Sequence, residues 1–109
     1  ASITRRYSFT AMLDGRQGHT WDCFVSVHGS IDPVTGMVTD IGALDRLVQE
    51  KVVQPCDRQD LREVLKEPAV SGAQLAEFIW NSLVSRFPSG ALKNIRVVQS
   101  RDLSFDYNE

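Results

Sequence analysis

Residues 4–13 and 19–29 alternate apolar with polar residues, which is the pattern of a half-buried β-strand. In the first stretch the apolar positions are Tyr7, Phe9 and Ala11. In the second, one face carries Trp21, Cys23, Val25 and Val27, and the other carries Asp22, Phe24, Ser26 and His28. Residues 93–100 and 104–107 predict two further short strands.

The first helical pattern follows Asp40, which is a good N-cap residue. Residues 41–52 then repeat apolar residues at helical spacing. The expected buried stripe is Leu44, Leu47, Val48 and Val52. Before this helix, residues 30–36 are rich in turn formers and residues 37–40 suit an extended segment, so the chain is predicted to reverse there.

The second helix is predicted to begin at Ser71, which forms a capping box with Gln74, and to run to about Phe87, where a proline follows. Its expected stripe is Leu75, Phe78, Ile79 and Leu83, widened by Trp80 and Val84. Between the helices, residues 53–70 are predicted to be irregular apart from a helical turn near Leu61.

The order strand, strand, helix, helix, strand, strand favours an α+β fold, ββααββ, with a four-stranded antiparallel sheet covered by two helices on one face. Residues 1–109 are predicted to form one domain of this kind. The uncovered face is expected to carry semi-apolar side chains such as Phe24, and small sheets with such a face often associate.

Composition narrows the classes of function. The chain is 42% hydrophobic and 24% charged, as in ordinary folded domains. A net charge of -2 gives no field to attract nucleic acid or an anionic membrane, so neither is an expected partner. No apolar run reaches membrane-spanning length. Two cysteines without a secretory signal predict reduced thiols and a cytoplasmic protein.

Four segments, taken in order, resemble the 6-pyruvoyltetrahydropterin synthase and 6-carboxytetrahydropterin synthase family, which has the tunnelling fold. They are "GMVTDIGALDRLV", "CDRQDLREV", "QLAEFIW" and "VVQSRDLSFDY". The resemblance runs from Tyr7 to Tyr107 and implies the α+β fold already predicted. It also implies a ring-shaped homo-oligomer, commonly a trimer or hexamer, with sites at the subunit interfaces.

The departures from this family fall at its zinc site. Family members hold zinc with three histidines, one after the first strand and two in a histidine-glycine-histidine motif. The first would fall near Met12 or Leu13, and the motif reads Gln17-Gly18-His19, so only His19 remains. The loop that carries the family's catalytic cysteine reads "DGRQG" and has none. These changes predict a protein without a metal or another cofactor.

The departures extend to the acid-base pair and the pterin anchor. The family's aspartate-histidine pair reads Asp57-Arg58, and Gln99 takes the place of the glutamate that holds the pterin. A carboxylate accepts from two donors, whereas a carboxamide offers one acceptor and one donor. We therefore expect pterin binding to be disfavoured and a cyclic or primary amide edge to be the better complement.

The residue types leave two interpretations open for each candidate. His19 is a general base or acid, or a histidine hydrogen-bonded at the start of a strand. Asp57 is an acid-base group in an interface cleft, or a solvated loop carboxylate in an ordinary ion pair. Arg58 holds a substrate carboxylate or serves as the other half of that ion pair. Gln17 and Gln99 complete the candidate substrate-binding set, and Gln99 could instead satisfy nearby backbone groups.

The spacing of the possible ligands argues against zinc within one chain. His19 and His28 are nine apart in one strand, so they point to opposite faces. His19 and Cys23 share a face but lie about 13 Å apart at roughly 3.3 Å per residue. Zinc bonds of about 2.0–2.3 Å do not span that distance. Cys23 and Cys56 are expected to be core thiols, since Cys56 replaces an apolar residue and an adjacent aspartate blunts it as a nucleophile.

Two functions fit these residues. The first is a diverged, metal-independent enzyme of lyase or cyclase type, with His19 and Asp57 as catalytic residues. It would use acid-base chemistry (elimination, isomerisation, aldol-type cleavage or cyclisation) on a small non-pterin molecule, for example in specialised metabolite biosynthesis. The second is a non-catalytic ligand-binding or assembly protein on the same scaffold.

Overall fold

The computed structural model describes residues 2–13, 18–29 and 41–109. Four strands form one antiparallel sheet in the order β1-β2-β3-β4. They are β1 (Ser2–Met12), β2 (Gly18–His28), β3 (Leu92–Ser100) and β4 (Leu103–Tyr107). The helices contact one face of this sheet. The predicted α+β architecture is therefore confirmed, including all four strands.

The apolar face of the sheet is the one that the alternation predicted. In the register of β1 and β2, Tyr7 lies opposite Cys23 and Phe9 opposite Trp21, and Cys23 continues the row to Val97 on β3. All five side chains are buried. Burying a side chain of this size contributes roughly 1.5–3 kcal/mol, so this face and the helices over it hold the fold together.

The opposite face of the sheet is more polar than the sequence suggested. Along β1 and β2 it carries cross-strand pairs of polar side chains, with the Thr4 and Ser26 hydroxyls 2.8 Å apart. Further along the same face, the Ser8 hydroxyl on β1 donates to the Asp22 carboxylate on β2. Phe24, the expected apolar residue there, is half-buried among these polar neighbours. Phe24 thus lies on the uncovered face as expected, but on β1 and β2 its neighbours on that face are mostly polar.

The first helix is longer than predicted. It comprises α1 (Ile41–Val48), a π-helical turn (Gln49–Val53) and α2 (Gln54–Cys56) in one continuous run. The prediction that the chain becomes irregular at residue 53 was wrong as far as Cys56. Pro55 lies within the added part, at the start of α2 directly after the wider π turn, where its missing N–H is tolerated.

The π turn explains why the buried stripe of this helix stays aligned. Leu44, Val48, Val52 and Cys56 are buried, and each follows the previous one by four residues. An α-helix turns about 100° per residue, so three such steps would move the stripe about 120° away from the sheet. In the π turn the N–H of Gln54 donates to the Gln49 carbonyl, five residues back. Because residues in this wider turn rotate by less than about 100° each, most of the rotation of the stripe by about 120° is removed and Cys56 lies in the core.

Polar contacts join α1 to β1. The Tyr7 hydroxyl donates to Asp45 at 2.7 Å, and the Arg5 guanidinium donates twice to the same carboxylate, at 2.8 and 3.2 Å. These donors hold the pKa of Asp45 below its usual value, the hydrogen bonds from Arg5 being the main cause. The outer part of β1 is thereby tied to the helix that covers it.

Two shorter predictions about the helices are also tested. A helical turn near Leu61 is confirmed as α3 (Leu61–Leu65), whose N-cap Asp60 accepts a hydrogen bond from the Arg62 N–H at 2.9 Å. The capping box of Ser71 and Gln74 is confirmed at the start of α4 (Gly72–Leu83). In the predicted stripe of α4, Trp80 is buried, whereas Val84 beyond its end is 37% exposed and does not widen the stripe.

Gly72 allows α4 to approach β4 closely. A Cβ atom at this position would lie 2.2 Å from Cδ2 and 2.3 Å from Cε2 of Phe105. Carbon atoms in contact are normally about 3.5–4.0 Å apart, so no larger residue fits without movement. The glycine therefore sets the distance between the start of α4 and the sheet.

Some predictions lie outside the described residues. These are the reversal at residues 30–36, the extended segment at residues 37–40 with the Asp40 cap, and Gln17. Within the described ranges, no helix combines the length and the apolarity that crossing a bilayer requires.

Candidate functional site

One end of the sheet gathers the residues that the sequence singled out. Because the strands are antiparallel, this end contains the last residues of β1 and β3 and the first residues of β2 and β4. Ala11 on β1 lies opposite His19 on β2 at this end. Gln99 lies close to the end of β3.

His19 lies on the helix-covered side of the sheet, two residues before Trp21. It is half-buried, and its ring meets the Trp21 indole edge to face, with the ring centroids 4.9 Å apart and the planes at 75°. Its Nε2 atom is hydrogen-bonded to the main-chain carbonyl oxygen of Gln99. The imidazole is thus fixed on one side by an aromatic ring and on the other by a backbone acceptor.

Gln99 presents that carbonyl because the chain bulges there. Val98 pairs with Ser104 and Ser100 pairs with Leu103, so β3 has one more residue than β4 between these pairs. Gln99 is the extra residue, and such a residue is left out of the regular ladder. Its carbonyl is therefore available to the side chain of His19.

Asp57 follows the last residue of α2 and is bound to the outer edge of β1. Its Oδ1 atom accepts a hydrogen bond from the Thr10 N–H at 3.0 Å, and the Arg58 N–H donates to the Thr10 carbonyl at 2.6 Å. The Met12 N–H then donates to the Gln59 carbonyl at 2.9 Å. Residues 57–60 therefore run beside β1 like a short added strand.

This arrangement puts His19 and Asp57 at the same end of the fold, on either side of β1. Neighbouring strands are about 4.8 Å apart, so the backbones of the two residues are separated by about 10 Å, two strand spacings. The small side chain of Ala11 stands between them, opposite His19. A molecule of several atoms is required to contact both side chains.

The remaining predicted residues divide into two groups. Gln99 joins His19, but through its main chain rather than its carboxamide. Arg58 has an exposed side chain and a left-handed backbone, with φ of 63°, which turns the chain after Asp57. Gln17 lies outside the described residues. His28 is exposed at the far end of β2.

Both thiols are buried in the core and fit the structural interpretation. Cys23 and Cys56 have no exposed surface. Burial raises the pKa of each to about 12, and for Cys23 the nearby Cys56 adds to the effect. A thiol with such a pKa is protonated at neutral pH and is a poor nucleophile.

The described residues do not fit the zinc site of the resembling family. Among them, no group of three or more histidine, cysteine, aspartate or glutamate side chains is placed to hold a metal ion. Met12 and Leu13, where the first histidine would fall, have apolar side chains. The Nε2 atom of His19 is already occupied by the Gln99 carbonyl. The residues that remain are suited to acid-base chemistry or to hydrogen bonding.

Sequence reasoning did not find two features of the molecule. One is the contact between His19 and Trp21, for which the spacing of two residues on one strand face was the available signal. The other is a groove of about 540 Å³ on the uncovered face of the sheet, between Phe24, Arg96 and the β3–β4 turn. The groove lies on the opposite side of the sheet from His19, so it is separate from the site.

Comparison with known proteins places the chain in a family. Residues 16–109 match the family model described as 6-pyruvoyl tetrahydropterin synthase. The human 6-pyruvoyl tetrahydrobiopterin synthase is 31% identical over 86 residues, which cover 76% of this chain and 59% of that protein. The protein of the same name from Poecilia reticulata is 30% identical over 83 residues, which cover 73% of this chain and 56% of the relative. The chain thus spans less than two thirds of these relatives.

The fold agrees with this assignment. The 6-pyruvoyl tetrahydropterin synthase structure from Caenorhabditis elegans superposes with a TM-score of 0.85 at 21% identity, over 100% of this chain and 95% of that one. The sheet with its helices on one face is therefore the tunnelling fold that the sequence predicted. On the match of the family model and the identity to these relatives, the chain belongs to the 6-pyruvoyl tetrahydropterin synthase family.

Proposed function

We propose that this chain is a metal-independent member of its family that carries out acid-base chemistry on a small molecule other than a pterin. The observation that supports this most is the environment of His19. Its imidazole is held by the Gln99 carbonyl and by Trp21 at the sheet end where Asp57 also lies. A titratable ring in a fixed orientation, at the same sheet end as a carboxylate and without a metal-ligand set among the described residues, is suited to proton transfer.

In the proposed reaction His19 removes a proton from a carbon next to a carbonyl or imine group of the substrate. The electron pair of that C–H bond forms a C=C bond, and the π pair of the carbonyl or imine moves onto its heteroatom. The products are an enolate or aza-enolate and the imidazolium of His19, which can return the proton to the heteroatom or to another carbon. Asp57, on the far side of β1, orients the substrate or exchanges a proton at its second polar group. Elimination, isomerisation and cyclisation begin with this step. Aldol-type cleavage reaches the same enolate when the base takes the proton of a β-hydroxyl group instead, so the enzyme would be of lyase or cyclase type.

The carboxamide of Gln99 defines the kind of ligand edge that we propose. An amide with one donor and one acceptor complements a cyclic or primary amide, whereas the paired donors of a pterin leave one group unsatisfied. Such a mismatch costs roughly 1–3 kcal/mol when buried, which is about 5- to 150-fold in affinity. Gln17 and Arg58 are proposed as further binding residues, Arg58 for a carboxylate.

We propose that the protein assembles as a homo-oligomer, a trimer or hexamer, with sites at the subunit boundaries. Family membership supports the assembly. The position of the candidate site also supports it, because His19 and Asp57 lie at an end of the sheet rather than inside one subunit's core. A second chain would close the space between them and exclude water.

A non-catalytic binding or assembly protein is the second candidate, and one observation favours it. Asp57 and the main chain of Arg58 both bind Thr10, which is a structural role that needs no substrate. If this is their entire role, His19, Gln99 and Gln17 remain of the proposed residues for ligand recognition. The two candidates therefore differ in whether Asp57 contributes to turnover.

The proposal is tested by proton exchange at carbon. Protein in D2O is incubated with a panel of α-keto amides, β-keto amides and cyclic amide ketones, and loss of the α-proton signal is followed by NMR. We expect exchange by the wild type, a loss of at least 100-fold in His19→Asn, and a smaller loss in Asp57→Asn. His28→Asn is the matched control. Exchange at the same rate in His19→Asn and the wild type would contradict the proposal.

Native mass spectrometry of protein purified without chelator complements this assay. It reports the subunit number, any bound metal and any retained small molecule in one spectrum. A metal-free oligomer that carries a ligand would support the proposal and identify the ligand class. One zinc ion per subunit would contradict the metal-independent mechanism.

A further inference from the structure

The bulge in β3 has a chemical consequence for His19. A carbonyl oxygen only accepts hydrogen bonds, so the nitrogen that faces the Gln99 carbonyl must carry the hydrogen. That nitrogen is Nε2. A neutral imidazole has one N–H and one lone pair, so the lone pair is then on Nδ1.

We propose that the Gln99 main-chain carbonyl is a positioning group that holds His19 as its Nε2–H tautomer, so that Nδ1 is the nitrogen that takes up a proton. The tautomer follows from the hydrogen bond alone. The role of Nδ1 in proton transfer rests on the proposed function. In this arrangement the carbonyl also stabilises the imidazolium that forms, since its hydrogen bond becomes charge-assisted when the ring is protonated.

The hydrogen bond to Gln99 opposes the alternative ring orientation. Rotating the imidazole by 180° would exchange Nε2 with Cε1 and leave a carbon facing the Gln99 carbonyl, so the hydrogen bond would be lost. The edge-to-face contact with Trp21 fixes the plane of the ring, and the Gln99 carbonyl then decides which edge of the ring faces it.

The hydrogen bond to Gln99 also determines which nitrogen of His19 could coordinate a metal ion. Nε2 could coordinate a metal ion only after its hydrogen bond to the Gln99 carbonyl is broken, and in the intact structure the lone pair of the ring is on Nδ1.

The tautomer is measured by NMR. Protein labelled with 15N-histidine is studied at about pH 9, well above the ordinary pKa of imidazole, where long-range 1H–15N spectra distinguish a protonated nitrogen from one with a lone pair. The chain has two histidines, so His28→Asn leaves only the signals of His19. We expect Nε2 of His19 to be at least 95% protonated and Nδ1 to carry the lone pair. His28 is exposed and serves as the reference for a mixture of tautomers.

A deletion tests the role of the bulge. Removing Gln99 (ΔGln99) takes out the extra residue, so β3 and β4 can pair regularly and the free carbonyl is lost. We expect His19 to show the mixture of tautomers that His28 shows, in a protein whose amide spectrum remains dispersed. A deletion variant that folds and keeps His19 fully in the Nε2–H form would overturn the role of the carbonyl. The wild-type spectrum tests the tautomer even if the deletion variant does not fold.

The outcomes separate this inference from the proposed function. A proton on Nδ1 of wild-type His19 overturns the inference, whatever the exchange assay shows. The Nε2–H signature together with loss of carbon exchange in His19→Asn supports both. The Nε2–H signature with undiminished exchange in His19→Asn overturns the reaction at Nδ1 and the proposed function, and supports the tautomer alone.

Discussion

The π turn between α1 and α2 predicts that one residue can be deleted from the first helix without loss of the fold. With Glu50 removed, the buried residues of this helix would follow each other at steps of four, three and four. Eleven residues at about 100° each differ from three full turns by only about 20°, whereas the native twelve differ by about 120°. A regular α-helix can then bury the whole stripe, and Asp57 keeps its place beside Thr10.

The same deletion in a regular helix should have the opposite result. Glu77 is exposed in α4, which has no π turn, so its removal rotates all later residues by about 100° relative to the first turn. Ile79 and Leu83 are fully buried and would leave the core. Burial of these two side chains alone contributes about 3–6 kcal/mol, whereas the net free energy of unfolding of a whole domain is about 5–15 kcal/mol.

Thermal unfolding followed by circular dichroism compares the two variants. We expect the free energy of unfolding of ΔGlu50 to lie within about 1 kcal/mol of the wild-type value, which corresponds to a change in melting temperature of at most about 8 °C. We expect ΔGlu77 to be unfolded or to melt at least about 15 °C lower. Equal losses in the two variants would refute the account of the π turn. Unchanged amide chemical shifts of Thr10 in ΔGlu50 would show that the contact with Asp57 survives.

Three further predictions concern α3, α4 and their contacts. Gly72→Ala should lower the free energy of unfolding by about 1–3 kcal/mol, because the added Cβ overlaps the Phe105 ring. In a Phe105→Ala background the same substitution should have no cost. Equal losses of unfolding free energy in both backgrounds would contradict the overlap. Ser71→Ala should lower the melting temperature by about 4–8 °C through loss of the capping box, with urea unfolding as the check. Hydrogen bonds from Arg62 lower the pKa of Asp60. The ionised Asp60 carboxylate therefore stabilises the folded state fully at neutral pH, and this stabilisation is lost as pH falls through the ordinary aspartate range and below. Asp60→Asn should therefore flatten the acid side of the stability curve, measured by urea unfolding from pH 7 to pH 3, and an unchanged slope would contradict it.

The fold was predictable because its signals are local and repeated. The alternation around Trp21 and Cys23 gave the buried face of β2, and the capping box at Ser71 gave the start of α4. Each rests on side chains within a few positions of each other. The continuation of the first helix to Cys56 was missed, because it depends on a π turn that a regular helical period does not predict and that is followed directly by Pro55.

The site was predictable only in part, because its geometry depends on main-chain groups. The sequence identified His19, Asp57 and Gln99 by type, and the structure brings them to one end of the sheet. The contact between His19 and Gln99 uses a carbonyl, which every residue possesses, so no side-chain pattern indicates it. The contact between Asp57 and Thr10 likewise uses a backbone N–H, which became available because β1 is an edge strand.

These main-chain contacts also account for how a family scaffold keeps its shape when the residues of its metal site change. Asp57 and Arg58 bind Thr10, Gln59 binds Met12, and none of these bonds requires a metal ion. His19 is fixed by a carbonyl and an indole rather than by coordination. Since the sheet end is stabilised by these main-chain bonds and by the core below it, side chains at this end can change without loss of the fold. On the proposal made for His19, its hydrogen bond to the Gln99 carbonyl selects the tautomer and thereby the atom that reacts.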